Sequence, residues 1–289
     1  KYADWYENTF LNSIMSSQNP ETGMTTYFQP MASGYFKTYS EPFTKFWCCT
    51  GSGMENFSKL QESFYFYKED TLVVNQYIGS CLNFRGYEVE MAAALPEKDV
   101  VQIRFPKGYE GKLLLRLPNW LAAEAELSVN GKMQNYEIVG RKDVSVKGYA
   151  LSEGTFEAET VIEIKLPMKV TAYNLPDGGN TYGFKYGPVV LSACLGNWNM
   201  EKGMTGVDVT IPTTPFFGAE YLPTGSEVVS VKEGSVKAFA DSADKHMERQ
   251  VADKLEFKLK GVKANLTYVT HYKQHKERYG IYFKFQDAD

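Results

Sequence analysis

Two adjacent cysteines, Cys48 and Cys49, stand in the run FWCCTGSGMEN, behind a tryptophan and ahead of a glycine-spaced turn. A disulfide between sequence neighbours closes a small, strained ring, so the two are poor partners for each other. Ser52-Gly53-Met54-Glu55 fits the S-x-x-E capping box and predicts a helix that begins between Thr50 and Met54. A helix start carries partial positive charge and unpaired N–H groups, which bias a nearby thiol toward thiolate. Thiolates so placed suit a nucleophile or a soft-metal ligand such as zinc. The competing reading makes both cysteines small buried hydrophobes. A Gly-rich loop, a following helix and the pairing itself weigh against it.

A zinc site needs about four ligands, and no C-x-x-C accompanies this pair. His246, His271 and His275 lie far along the chain; His271 and His275, four apart in a strand-like segment, would share one strand face, and all three read as surface or core residues without a metal role. Cys81 and Cys194 fall in strand patterns and read as core. Thiol redox chemistry fits less well, because the cysteines are adjacent rather than spaced.

The elements that must hold these residues change character near residue 67. Before it, Tyr6, Phe10 and Ile14 repeat at helical spacing between Ala3 and Ser16, and a second apolar stripe runs from Gly53 to about Phe66. Between them, Asn19 to Lys45 is rich in Gly, Pro, Ser and Thr and reads as irregular, with one short strand at Thr25–Phe28. Beyond residue 67 the period is two: TLVVNQYIG, DVVQIRFP, KLLLRLP, TVIEIKLPMKV and GPVVLSACL are short β-type runs bounded by Gly, Pro or Asn. Asn130-Gly131 between AELSV and KMQNYEI is a hairpin signal of the type I′ kind. EVVSV, EFKLKGV, NLTYVTHY and YGIYFKF continue the pattern. Such spacing predicts a mainly β chain of antiparallel sandwiches, with helix confined to the N-terminal part.

Composition agrees with a globular protein: of 289 residues, 43% are apolar and 23% charged. Aromatics reach 15%, which favours strands and also suits ring stacking on sugars. A formal charge of −4 and a pI near 5.6 argue against nucleic-acid or anionic-membrane partners. No window is apolar enough to span a bilayer. The chain opens KYADWYENTF, without an initiating Met, and is expected to start inside a longer polypeptide, which leaves localisation open.

WCCTGSGMEN resembles the vicinal-cysteine motif of the β-L-arabinofuranosidases, glycoside hydrolase family 127, and of the related family 146. YADWYENTFLN is similar to that family's Y-A-D-x-x-E-x-x-x-x-N helix, and TTYFQP to its F-Y-x-N-P segment, with Gln29 in place of Asn. LRLPNW, the VNGK hairpin, IKLPMKV, YGPVVL and HKERYGIYFKF resemble its C-terminal landmarks. The resemblance implies a piece of an (α/α)6 catalytic barrel over residues 1–66, then β-sandwiches over 67–195 and 196–289. It implies Cys48 as nucleophile and zinc ligand, Cys49 as a second zinc ligand, and Glu7 and Tyr27 as substrate contacts. The implied substrate is a plant-type arabinose-containing glycan or a related sugar.

One departure stands out. The family's Glu-x-Cys zinc motif and its acid glutamate lie upstream of the Y-A-D helix, and no E-x-C occurs in this sequence. The chain by itself is therefore expected to be catalytically incomplete. The alternative is a non-catalytic sandwich protein that binds carbohydrate or supports a partner.

Overall fold

The computed structural model describes residues 1–140, 147–177 and 179–288. The chain is mainly β after a short helical segment, and it divides into two compact units. The first comprises Lys1–Glu7 and Ser58–Lys169, the second Asn8–Phe57 and Val170–Asp289.

The first unit holds a sandwich. One sheet runs in the order Tyr65–Lys68, Thr71–Val74, Tyr109–Arg116, Tyr149–Phe156, Glu137–Val139. The other runs Ser80–Phe84, Tyr87–Ala92, Val100–Phe105, Thr160–Lys165, Glu126–Val129, Lys132–Gln134. Alternation decides which side chains enter the core: in Thr160–Lys165 every second residue is buried, so Ile162 and Ile164 face inward. Leu72, Val74, Leu113 and Leu115 meet Val89, Val101 and Ile103 in that one core. Asn130 (φ 48°) and Gly131 (φ 74°) both take left-handed backbone and close the Val129–Lys132 hairpin, as type I′ geometry requires. The pairing is not wholly antiparallel, since Thr71–Val74 lies parallel to Tyr109–Arg116.

The second unit is built on one forked, nine-stranded sheet. Thr181–Tyr186 gives its first half to Tyr282–Gln286 and its second half to Val189–Cys194, while Val170–Asn174 covers its other edge. One arm ends in the parallel strand Val228–Ser230; the other continues through Thr267–Thr270 and Glu256–Leu259 to Met247–Arg249. Phe184 packs edge-on against Tyr268 of one arm and Phe285 of the other, so both arms share a core. The strands between residues 170 and 194 thus pair within this sheet, not with the sandwich before them.

Helix is not confined to the N-terminal part. Val236–Asp241 and Ala243–His246 are short helices packed on Val170–Asn174, and the first is capped by Ser235, whose side chain accepts from the Ala238 N–H. Val236, Phe239 and Ala243 bury one face at helical spacing, a signal masked by the surrounding strand patterns.

Candidate functional site

The helix expected to begin after the cysteines begins with them. It spans Cys48–Ser58, and the Thr50 N–H bonds the Trp47 carbonyl at 3.0 Å to close its first turn. The S-x-x-E segment lies inside the helix rather than at its start. Thr50 is buried, and Gly53 lies so close to Thr25 that a Cβ on it would sit 2.7 Å from the Thr25 methyl carbon. Ser52 is therefore in mid-helix. Cys48 and Cys49 occupy the first turn, where the unpaired N–H groups are.

Cys48 is exposed and Cys49 half-buried, with their Sγ atoms 3.9 Å apart and not bonded. Burial, and then the hydrogen bond to Cys48, push the Cys49 thiol up from its ordinary value. Tyr27 stands nearby: its ring meets that of Trp47 edge-on at 5.8 Å and that of Phe28 at 4.6 Å. The Trp47 indole is itself fixed, donating to the Asp208 carbonyl at 3.0 Å. Gln29 is structural, accepting from Ser16 Oγ at 2.7 Å and donating to the Ser13 carbonyl at 2.9 Å. Among the described residues, no group of three or more His, Cys, Asp and Glu gathers as a metal site.

Glu7 belongs to the first unit, whereas the cysteines and Tyr27 belong to the second. Its carboxylate is buried, with one oxygen accepting from Arg116 Nη2 at 2.5 Å and the other from the Trp120 indole at 2.7 Å. Arg116 also reaches Asp4 at 2.9 Å and the Asn75 carbonyl at 2.6 Å. Burial opposes the guanidinium's charge, but Glu7 and then Asp4 outweigh it and hold the Arg116 pKa above its ordinary value. Neither Arg116 nor Trp120 is evident from helix or thiol patterns. The signal was the arginine set among leucines in LLLRLPNW, since a charge on a buried strand demands a partner.

Two corrections concern the other cysteines and histidines. Cys81 is not a core residue: it points outward in Ser80–Phe84 and is exposed. Cys194 is half-buried, and burial pushes its thiol up to about 12. His271 and His275 do not share a strand face, because His271 opens a 3-10 turn, His271–Lys273, that follows the strand Thr267–Thr270.

Residues 1–62 match the model of the GH127 β-L-arabinofuranosidase catalytic domain, and residues 71–168 match that of the GH127 middle domain. Together they take in more than half of the sequence, in the family's order. The chain belongs to the GH127 β-L-arabinofuranosidase family. Solved structures agree at the level of fold. A glycoside hydrolase aligns over 100% of this chain and 48% of its own, with TM-score 0.62 and 15% identity. A GH127 β-arabinofuranosidase aligns over 99% and 46%, with TM-score 0.64 and 14% identity. A GH127 β-L-arabinofuranosidase from Geobacillus stearothermophilus T6 aligns over 99% and 46%, with TM-score 0.61 and 16% identity. No curated protein matches the chain. This GH127 chain thus spans about half the length of those solved structures.

Proposed function

We propose that this GH127 chain forms part of a retaining glycoside hydrolase acting on L-arabinofuranosides, with Cys48 as its nucleophile. The observation that carries the reading is the cysteine pair in the first turn of Cys48–Ser58: an exposed Cys48 with Cys49 Sγ at 3.9 Å and the Tyr27–Trp47 rings beside it. The Cys48 sulfur attacks the anomeric carbon, a C–S bond forms, and the C–O bond to the leaving group breaks. The leaving oxygen takes a proton from a general acid, which the family resemblance puts ahead of the Tyr2–Thr9 helix. Water then gives a proton to the conjugate base of that acid and displaces the Cys48 thiolate from the same carbon, and two inversions give net retention. Tyr27 presents an aromatic wall to the sugar. The contact proposed for Glu7 rests on resemblance alone, since both its oxygens already accept protein hydrogen bonds.

Cys48 and Cys49 are the residues of this chain that would hold zinc. Two sulfurs at ~2.3 Å from a tetrahedral ion stand ~3.8 Å apart, and the 3.9 Å found here fits that edge. Such an ion, when bound, supplies positive charge that keeps both sulfurs deprotonated. The substrate class proposed is a plant-type arabinose-containing glycan.

The test is release of p-nitrophenol from p-nitrophenyl β-L-arabinofuranoside by the natural gene product and by its Cys48→Ala form. Loss of turnover by ~10⁴ or more is expected for removal of a nucleophile. Unchanged turnover in the variant would remove Cys48 from the mechanism.

A further inference from the structure

At the far end of the Cys48–Ser58 helix lies a cavity of about 640 Å³, in the range of small-molecule sites. It lies within the second unit. Phe57, one wall, is separated from Cys48 by a helix rise of ~1.5 Å per residue, about 13 Å in all, so the cavity is distinct from the cysteine site. Met15, Phe57 and Tyr272 give it apolar and aromatic walls. Gln18, Asn19 and Gln274 bring amides to it. The charges at its rim balance, with Glu21 and Glu277 against Lys273 and Lys276, and Lys276 is tied to Glu21 at 2.5 Å. His275 completes the lining, held by its Nδ1 to the Tyr39 hydroxyl at 2.7 Å. Burial keeps that imidazole neutral, lowering its pKa to about 4.

Such a lining selects by neutrality. Balanced rim charges and an uncharged imidazole favour neither an anion nor a cation. Aromatic walls suit the apolar face of a ring, and amides suit hydroxyl groups on its edge.

We infer that this cavity is a second carbohydrate site, which takes neutral sugar units away from the cysteines. The choice of L-arabinose as the sugar rests on the glycosidase reading; the selection of a neutral polyhydroxylated ring rests on the lining. Its role is to hold a glycan to the protein while another part of it is processed.

The chain has three histidines, so imidazole ¹H–¹⁵N spectra resolve His275 from His246 and His271. Titration of the whole chain with L-arabinotriose is expected to shift the His275 signals saturably and to leave His246 unmoved. Gln18→Trp, which fills the cavity from its rim, abolishes the shift, as does Tyr272→Ala. Cys48→Ala leaves it intact, which separates this site from the proposed nucleophile. Phe57 meets Phe10 edge-on at 6.3 Å, so Phe57 itself is left unaltered to preserve the core. A His275 signal that does not respond in folded protein overturns the inference. So does a response that survives Gln18→Trp, or one that disappears in Cys48→Ala.

Discussion

Lys37 buries its ammonium group against the carbonyl oxygen of His271, at 3.1 Å, and among the described residues no carboxylate pairs with it. The Tyr279 ring lies 5.9 Å from the same nitrogen. Burial lowers the Lys37 pKa from 10.5 to about 7. The same cause, followed by the Lys37 charge, lowers His275 from 6.5 to about 4 and His271 well below 6.5.

Stability is therefore expected to rise with pH. Between about 7 and 10.5 the unfolded chain holds a proton on Lys37 that the folded chain lacks, and between about 4 and 6.5 the same is true of His275. Both differences make unfolding easier as pH falls. Tyr39 and Tyr279, raised by burial, act oppositely once free tyrosine ionises near 10, which sets the upper end of the window. Melting should be several degrees higher at pH 9 than at pH 7, at ~2–4 °C per kcal/mol for a chain of this size. Lys37→Met should flatten that slope; an unchanged slope would show that the amine is not the source.

The Glu7–Arg116 pair is expected to carry stability. Arg116→Met leaves the Glu7 carboxylate buried with only the Trp120 indole, at a cost of about 3–5 kcal/mol. Glu7→Gln costs less, about 1.5–3 kcal/mol, because Asp4 still faces Arg116. The double variant should lose less than the two losses summed, and urea unfolding reads all three. Additive losses would mean the contact is not energetically coupled.

Two glycines of one helix should respond with opposite signs. At Gly51 nothing lies within 4 Å of an added Cβ, so Gly51→Ala should stabilise by about 0.5–1 kcal/mol. At Gly53 the same methyl group meets Thr25 at 2.7 Å, and Gly53→Ala should destabilise despite its better helix propensity. Thermal unfolding of both variants checks the pair.

Iodoacetamide should separate the four thiols. The exposed Cys48 and Cys81 are expected to label first at pH 8, Cys49 later, and Cys194 last because its thiol is held up near 12. Zinc added beforehand should protect Cys48 and Cys49 and leave Cys81 reactive. Peptide mapping that finds Cys81 protected and Cys48 labelled would falsify a metal-binding role for the pair.

The isolated chain is expected to release p-nitrophenol from p-nitrophenyl β-L-arabinofuranoside slower than the natural gene product by at least ~10², the low end of what a general acid supplies. Equal rates would show that the residues here suffice.

Local signals told much of this before any fold was known. Period-two runs marked the strands, Asn130-Gly131 marked its hairpin because left-handed backbone needs those residues, and Cys48-Cys49 with Glu7 and Tyr27 marked a family whose catalytic and middle domains both match. These are properties of neighbours in sequence, readable from spacing and residue type. What tertiary structure decided involves residues far apart. The helix starts at Cys48 rather than at its capping box, and Gly53 inside it packs against Thr25, 28 positions away. Arg116, 109 positions from Glu7, is its buried ion-pair partner. The forked sheet pairs the strands between residues 170 and 194 with partners as distant in sequence as Thr267–Thr270 and Tyr282–Gln286. Burial and partnership depend on what the rest of the chain brings alongside, and only the folded arrangement supplies that.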